Sequence, residues 1–131
     1  MNMPKRNSRQ EYRLKQRERI EASPLMVQKF PRLKGLKVVL EYFDPEGTTR
    51  NGGMKCKLNV DHAKSVLWFA CPGVECIEGD FDLTDALAQA VTARRKVATG
   101  ELRCAGKRKR GDRGPVPCQT LLRYTLNLTY D

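Results

Sequence analysis

The sequence predicts an α+β domain: one antiparallel β-sheet in the order β-β-β-α-β-β, a single helix packed across it and a four-cysteine zinc site, all preceded by a basic N-terminal segment. Three observations carry this. Apolar residues alternate with period two over 36–43, 54–60 and 120–130, the pattern of strands with one buried face. Between 80 and 97 the period changes to the 3 and 4 spacings of a helix. Four of the five cysteines, Cys71, Cys76, Cys104 and Cys118, fall where predicted strands begin or end.

A chain of 131 residues has room for one core, burying roughly 65% of the unfolded surface. The natural division is a basic arm and connector over 1–35 and a zinc-stabilised domain over 36–131. Of the net charge of +10, the first 37 residues carry +8, from eleven Lys and Arg against three Glu. Residues 5–21 are good helix formers, and Ser8 and Glu11 have capping-box spacing. Tyr12, Leu14 and Ile20 are too few to bury a full helix face, so this helix is expected to be weakly anchored.

Ser23-Pro24 breaks the helix, and the connector that follows lays Leu25, Met26 and Phe30 across the core. In the first strand Leu36, Val38, Leu40 and Tyr42 face inward. A long loop ending in Asn51-Gly52-Gly53 leads to a second strand with Met54, Cys56, Leu58 and Val60 on its buried face. Cys56 there acts as a small hydrophobe, not a ligand. A third strand over 65–71 would complete a meander. The helix over 80–97 buries Leu83, Leu87, Ala90 and Val91, takes Asp82 as its N-cap and ends at Gly100. A short strand over 101–104 and a basic loop over 105–117 lead to the final strand, where Leu122, Tyr124, Leu126, Leu128 and Tyr130 share a face.

The cysteines carry the chemistry. Zn²⁺ prefers four tetrahedral N or S ligands, and turns at strand ends deliver them with little strain. Cys71 and Cys76 flank the Pro72-Gly73 turn, and Cys104 and Cys118 bracket the basic loop. Filled by four cysteines, such a site has no open position for water and is structural. The turn Cys71-Pro72-Gly73-Val74-Glu75-Cys76 with its later cysteine pair resembles the knuckles of zinc-ribbon and treble-clef proteins over about 69–118. Many modules of that kind serve ribosomes, RNA or transcription machinery, so the resemblance implies nucleic acid as partner.

No nucleophile-base pair, P-loop or GxGxxG motif is present, and the single histidine, His62, falls in a turn beside Asp61. No enzyme is expected. The acidic run Glu75, Glu78, Asp80, Asp82 and Asp85 surrounds a helix start, where carboxylates are favourable without a metal. Phosphate contacts are expected from Lys107, Arg108, Lys109, Arg110 and Arg113 of the loop and from Arg9, Arg13, Lys15 and Arg17 of the arm. The function these features predict is a zinc-stabilised, non-enzymatic nucleic-acid-binding protein favouring RNA or a ribonucleoprotein. The alternative is a module docking on an acidic protein. No apolar run is long enough to span a membrane and no secretory h-region follows the basic start, so a cytoplasmic location is expected.

Overall fold

The computed structural model describes residues 8–73, 76–109 and 115–131, with backbone alone for Ser8, Arg9, Ile77, Arg108, Lys109 and Pro115. Arg110 and Arg113 of the expected phosphate-binding set, and Glu75 of the acidic run, lie outside the described residues.

The elements are α1 (Ser8–Ala22), α2 (Met26–Lys29), β1 (Leu33–Phe43), β2 (Arg50–Leu58), β3 (Trp68–Ala70), β4 (Cys76–Ile77), β5 (Asp80–Asp82), α3 (Thr84–Thr92), β6 (Val97–Arg103), β7 (Lys107–Lys109), β8 (Pro115–Pro117) and β9 (Leu121–Tyr130). Four strands make the main antiparallel sheet, ordered β2-β1-β9-β6, so the first and last strands are its interior pair. Register fixes the faces: Leu36 lies opposite Leu128, Val38 opposite Leu126, Leu40 opposite Tyr124 and Tyr42 opposite Leu122. These residues point to the core, which also takes in Met26, Phe30, Leu33, Phe81, Leu83, Leu87 and Ala90.

The third predicted strand does not extend a meander. It shortens to β3 and pairs with β5, Phe69 opposite Phe81, in a separate two-stranded sheet. β5 occupies residues expected to begin the helix, and α3 is accordingly shorter. Asp82 is not the cap residue, which is Leu83, but its Oδ1 accepts the Thr84 N–H at 2.9 Å and does the work of a cap from one residue earlier. Gly100 does not end the helix. It lies within β6 opposite Tyr124, whose ring covers it so closely that a Cβ there would come within 2.6 Å of Cζ. An aromatic ring laid over a strand glycine replaces the missing side-chain packing.

The buried face proposed for the second strand is correct in direction but shallow. Met54, Cys56 and Leu58 lie opposite Leu40, Val38 and Leu36, yet β2 is an edge strand, so Met54 is 40% exposed and Cys56 half-buried. The glycines expected in the preceding loop lie inside β2, beside a bulge where Gly52 takes φ 137° opposite Tyr42. Residues 105–117, expected as one loop, carry the β7–β8 hairpin, which β4 extends to three strands.

Because Leu126 is fully buried on an interior strand, Leu126→Ala should cost about 2–5 kcal/mol in urea denaturation. Met54→Ala, at the exposed edge, should cost well under about 1 kcal/mol and leave the m-value unchanged.

Candidate metal centre

Two loops deliver the cysteines in pairs, Cys71 with Cys76 and Cys104 with Cys118. Cys71 follows β3, Cys76 opens β4, Cys104 follows β6 and Cys118 lies between β8 and β9. Backbone bonds lock each one. The Cys71 N–H donates to Gly79 O at 3.0 Å, Cys76 to Gly73 O at 3.1 Å, Cys104 to Thr120 O at 2.9 Å and Cys118 to Gly106 O at 2.9 Å. The chain therefore closes two small loops whose open ends face one another.

All four thiols are buried, and their Sγ atoms lie within 4.8 Å of one another, positioned to hold a metal ion. Cys71 Sγ is 3.8 Å from Cys118 Sγ, and Cys76 Sγ is 3.5 Å from Cys104 Sγ. Cys56 stands apart from this group, opposite Val38 in the sheet. Among the described residues these four cysteines are the group assembled for a metal; Asp80 and Asp82 are engaged elsewhere.

Space around the sulfurs is set by two glycines that sequence reasoning passed over. A Cβ on Gly79 would overlap the Sγ atoms of Cys76 and Cys104, and one on Gly106 would lie 2.7 Å from Cys76 Sγ. The Gly106 N–H donates to Cys104 Sγ at 3.3 Å. The signal was present in the spacing of Cys76 to Gly79 and of Cys104 to Gly106, where backbone must pass close to sulfur. Glu78 and Gln119 take left-handed φ values of 57° and 51°, so two of the three described non-glycine residues in that region adjoin the ligand turns.

Electrostatics explain why the cluster calls for a cation. The hydrogen bond from Cys104, working against burial and aided by the Gly73 N–H, lowers the Cys71 thiol to about 5. Burial pushes Cys76 up to about 12. Cys104 is also raised, first because it donates its proton to Cys71 and then by burial. One thiolate thus suppresses ionisation of its neighbours; several buried thiolates can share this space when a metal ion supplies the opposing charge. The negative site is felt in the core: Tyr42 is pushed up to about 12, by burial and then by the charge of Cys71.

Helix α1 docks beside the cluster, contrary to the expectation of weak anchoring. The Tyr12 hydroxyl donates to the Asp80 carboxylate, and the Trp68 indole N–H donates to Asp80 Oδ2 at 2.6 Å. The Tyr12 and Trp68 rings pack with centroids 6.5 Å apart. Two turns further along the same face, Arg19 pairs with Asp82 at 2.8 Å. Burial opposes ionisation of Asp82, but hydrogen bonds from Thr84 and the Arg19 guanidinium hold it below the usual carboxylate range. The anchors are polar groups and one aromatic contact, so a count of apolar residues missed them.

The remaining predicted residues fall on two surfaces. Arg13, Lys15 and Arg17 are exposed along α1. Lys107 is exposed on β7, opposite Ile77 and Pro117, and the backbones of Arg108 and Lys109 continue that strand. Arg9 lies in the first turn of α1. His62 is exposed in a turn, its N–H bonded to Asn59 O at 3.0 Å. Compared with protein-family models, with curated proteins and with solved structures, the chain matches none.

Replacing Gly79 removes no ligand, yet Gly79→Ala should weaken metal binding by roughly 10- to 100-fold in a chelator competition. Uptake of a divalent ion at pH 7 should release at least two protons, one each from Cys76 and Cys104, so affinity should rise with pH. Calorimetry in buffers of different ionisation enthalpy reads that proton count directly.

Proposed function

We propose that this chain is a zinc-stabilised, non-enzymatic nucleic-acid-binding protein of the cytoplasm, favouring RNA or a ribonucleoprotein surface. The observation that carries it is the joining of the buried thiol cluster to basic surface on two sides: β7, with Lys107 exposed, and the docked helix with Arg13, Lys15 and Arg17 exposed.

Zinc fits the cluster in chemistry and in size. A Zn–S distance of about 2.3 Å in a tetrahedron puts sulfurs about 3.8 Å apart, against 3.8 Å and 3.5 Å for the two closest pairs. The residues that would hold it are Cys71, Cys76, Cys104 and Cys118, with N–H donors from Gly73 and Gly106 to two of the sulfurs. A bound zinc ion would supply charge compensation and a cross-link; with four thiolates around it there is no position for water, so its role is structural. A reducing compartment suits thiols used as ligands, which supports the cytoplasmic placement.

Phosphate contact follows from the charge. Two acidic side chains of the domain beside the arm are occupied, Asp82 by Arg19 and Asp80 by Tyr12 and Trp68, and α1 itself carries five Lys and Arg against Glu11, Glu18 and Glu21. A cation held on a docked helix or a cross-linked hairpin meets less ordering cost on binding than one on a free tail. The alternative, docking on an acidic protein, gains little: Met54 and Val97, the large apolar residues most exposed among those described, lie on opposite edge strands and form no patch.

Fluorescence anisotropy with labelled RNA is the test. Affinity should fall steeply as salt rises from about 50 to 200 mM, by roughly tenfold or more for several phosphate contacts, with little dependence on sequence. Arg13→Gln with Lys15→Gln and Arg17→Gln should weaken binding and flatten the salt dependence. Absence of binding at low salt would overturn the proposal.

A further inference from the structure

The main sheet has a second face that, among the described residues, no helix or smaller sheet covers. The helices α2 and α3 and the residues of β5 pack on the side of Leu36, Val38, Leu126 and Leu128, in one buried cluster. On the opposite face the side chains are exposed or half-buried, apart from Leu121, against which the β1–β2 turn folds at Gly47.

Register divides that face into rows. One row reads Lys57, Lys37, Asn127, Val97 across β2-β1-β9-β6, and the next reads Lys55, Val39, Thr125, Thr99. The third reads Gly53, Glu41, Arg123, Glu101. Its charges are internally matched: Arg123 pairs with Glu101 at 2.8 Å, and Arg50 reaches Glu41 at 3.6 Å. No carboxylate occurs in the first two rows. The face is therefore neutralised toward the β1–β2 turn and uncompensated toward the other end.

The lysine arrangement is unfavourable for the isolated fold. Lys37 and Lys57 are direct cross-strand partners, and like charges directly opposite destabilise a sheet. Lys55 lies two residues along the same face, about 6.7 Å away at strand rise. Lysines on an edge strand such as β2 deter unwanted strand pairing. Lys37 has no such reason to be there, because β1 is paired on both sides. Beside it is a cleft of about 570 Å³ lined by Lys34, Lys37, Lys57, Asn127 and Thr129, with Asp61 as the one carboxylate on its rim. Lys34 is balanced by Asp131 at 3.6 Å; among the described residues Lys37, Lys55 and Lys57 have no ion pair.

We propose that this open sheet face, centred on Lys37, Lys55 and Lys57, is a docking surface for the phosphate backbone of a nucleic acid. The cations supply charge complementarity, and Asn127, Thr125 and Thr129 supply neutral hydrogen-bonding groups beside them. Phe43, the aromatic residue of this face, lies at its matched end under the Arg123 guanidinium, 4.6 Å from ring centroid to Cζ. The lysine end offers no ring for base stacking, so the face reads backbone and not sequence. The inference rests on the nucleic-acid reading above and adds to it a surface distinct from α1 and β7.

The experiment compares three full-length, metal-loaded proteins by anisotropy on labelled single-stranded RNA: wild type, the face variant Lys37→Gln/Lys55→Gln/Lys57→Gln, and the arm variant Arg13→Gln/Lys15→Gln/Arg17→Gln. All six positions are exposed, and circular dichroism checks that each protein folds. The face variant should bind at least tenfold more weakly at low salt, and its slope of log K against log salt should fall by about two, as for three contacts at about 0.7 each. Lys→Arg at the same three positions should restore both. A face variant with wild-type affinity and slope, alongside an impaired arm variant, overturns the docking surface and leaves nucleic-acid binding standing. Wild type that fails to bind RNA overturns both, and capture of poly-glutamate in its place assigns the face to an acidic protein.

Discussion

The structure depends on bringing four buried thiols to one point. A core of this size has few large side chains to spare for the region beyond the main sheet, where β3, β4, β5, β7 and β8 are each two or three residues long. Pairs of such short strands are marginal by themselves. What makes them persist is that Cys71, Cys76 and Cys118 adjoin β3, β4 and β8, Cys104 follows β6 of the main sheet, and all four converge within 4.8 Å. The convergence is costly for thiols alone, since ionising Cys71 raises its neighbours, and it becomes favourable with a cation at the centre.

From that point order spreads outward through named contacts. Gly79 passes its backbone against two sulfurs, and the next residue, Asp80, accepts hydrogen bonds from Tyr12 and Trp68. The N-terminal helix is thereby tied to the same corner as the cysteines. In the other direction Cys104 and Cys118 adjoin β6 and β9, and Tyr42, whose ring packs on Phe81, feels the charge of Cys71. The cluster, the small sheets and the main sheet are one buried unit.

Charge is distributed by the same geometry. Several carboxylates are used internally, for docking α1 or matching arginines on the sheet, so the surplus of cations is left outward. It appears on α1, on β7 and on the open sheet face.

Strand faces could be read from the chain because their period is local. Leu122 to Tyr130 alternates strictly and Leu36 to Tyr42 does so but for Val39, and each residue needs only its neighbours to choose a side. The four cysteines were separable from Cys56 for the same reason: strand ends against strand middle. Pairing was decided by tertiary structure. Residues 65–71 read as a strand like the others, and nothing local says that β3 joins β5 while β1 takes β9 as its neighbour. Depth of burial likewise depends on what lies alongside, which is why Cys56 faces the core yet sits half-open at an edge. The sequence by itself determined which residues face together and which cysteines stand at strand ends. The tertiary structure alone decided that β3 pairs with β5, and that Asp80 holds Tyr12 from 68 residues away. Alternation is written within a few residues, whereas these contacts exist only once distant segments have been packed together.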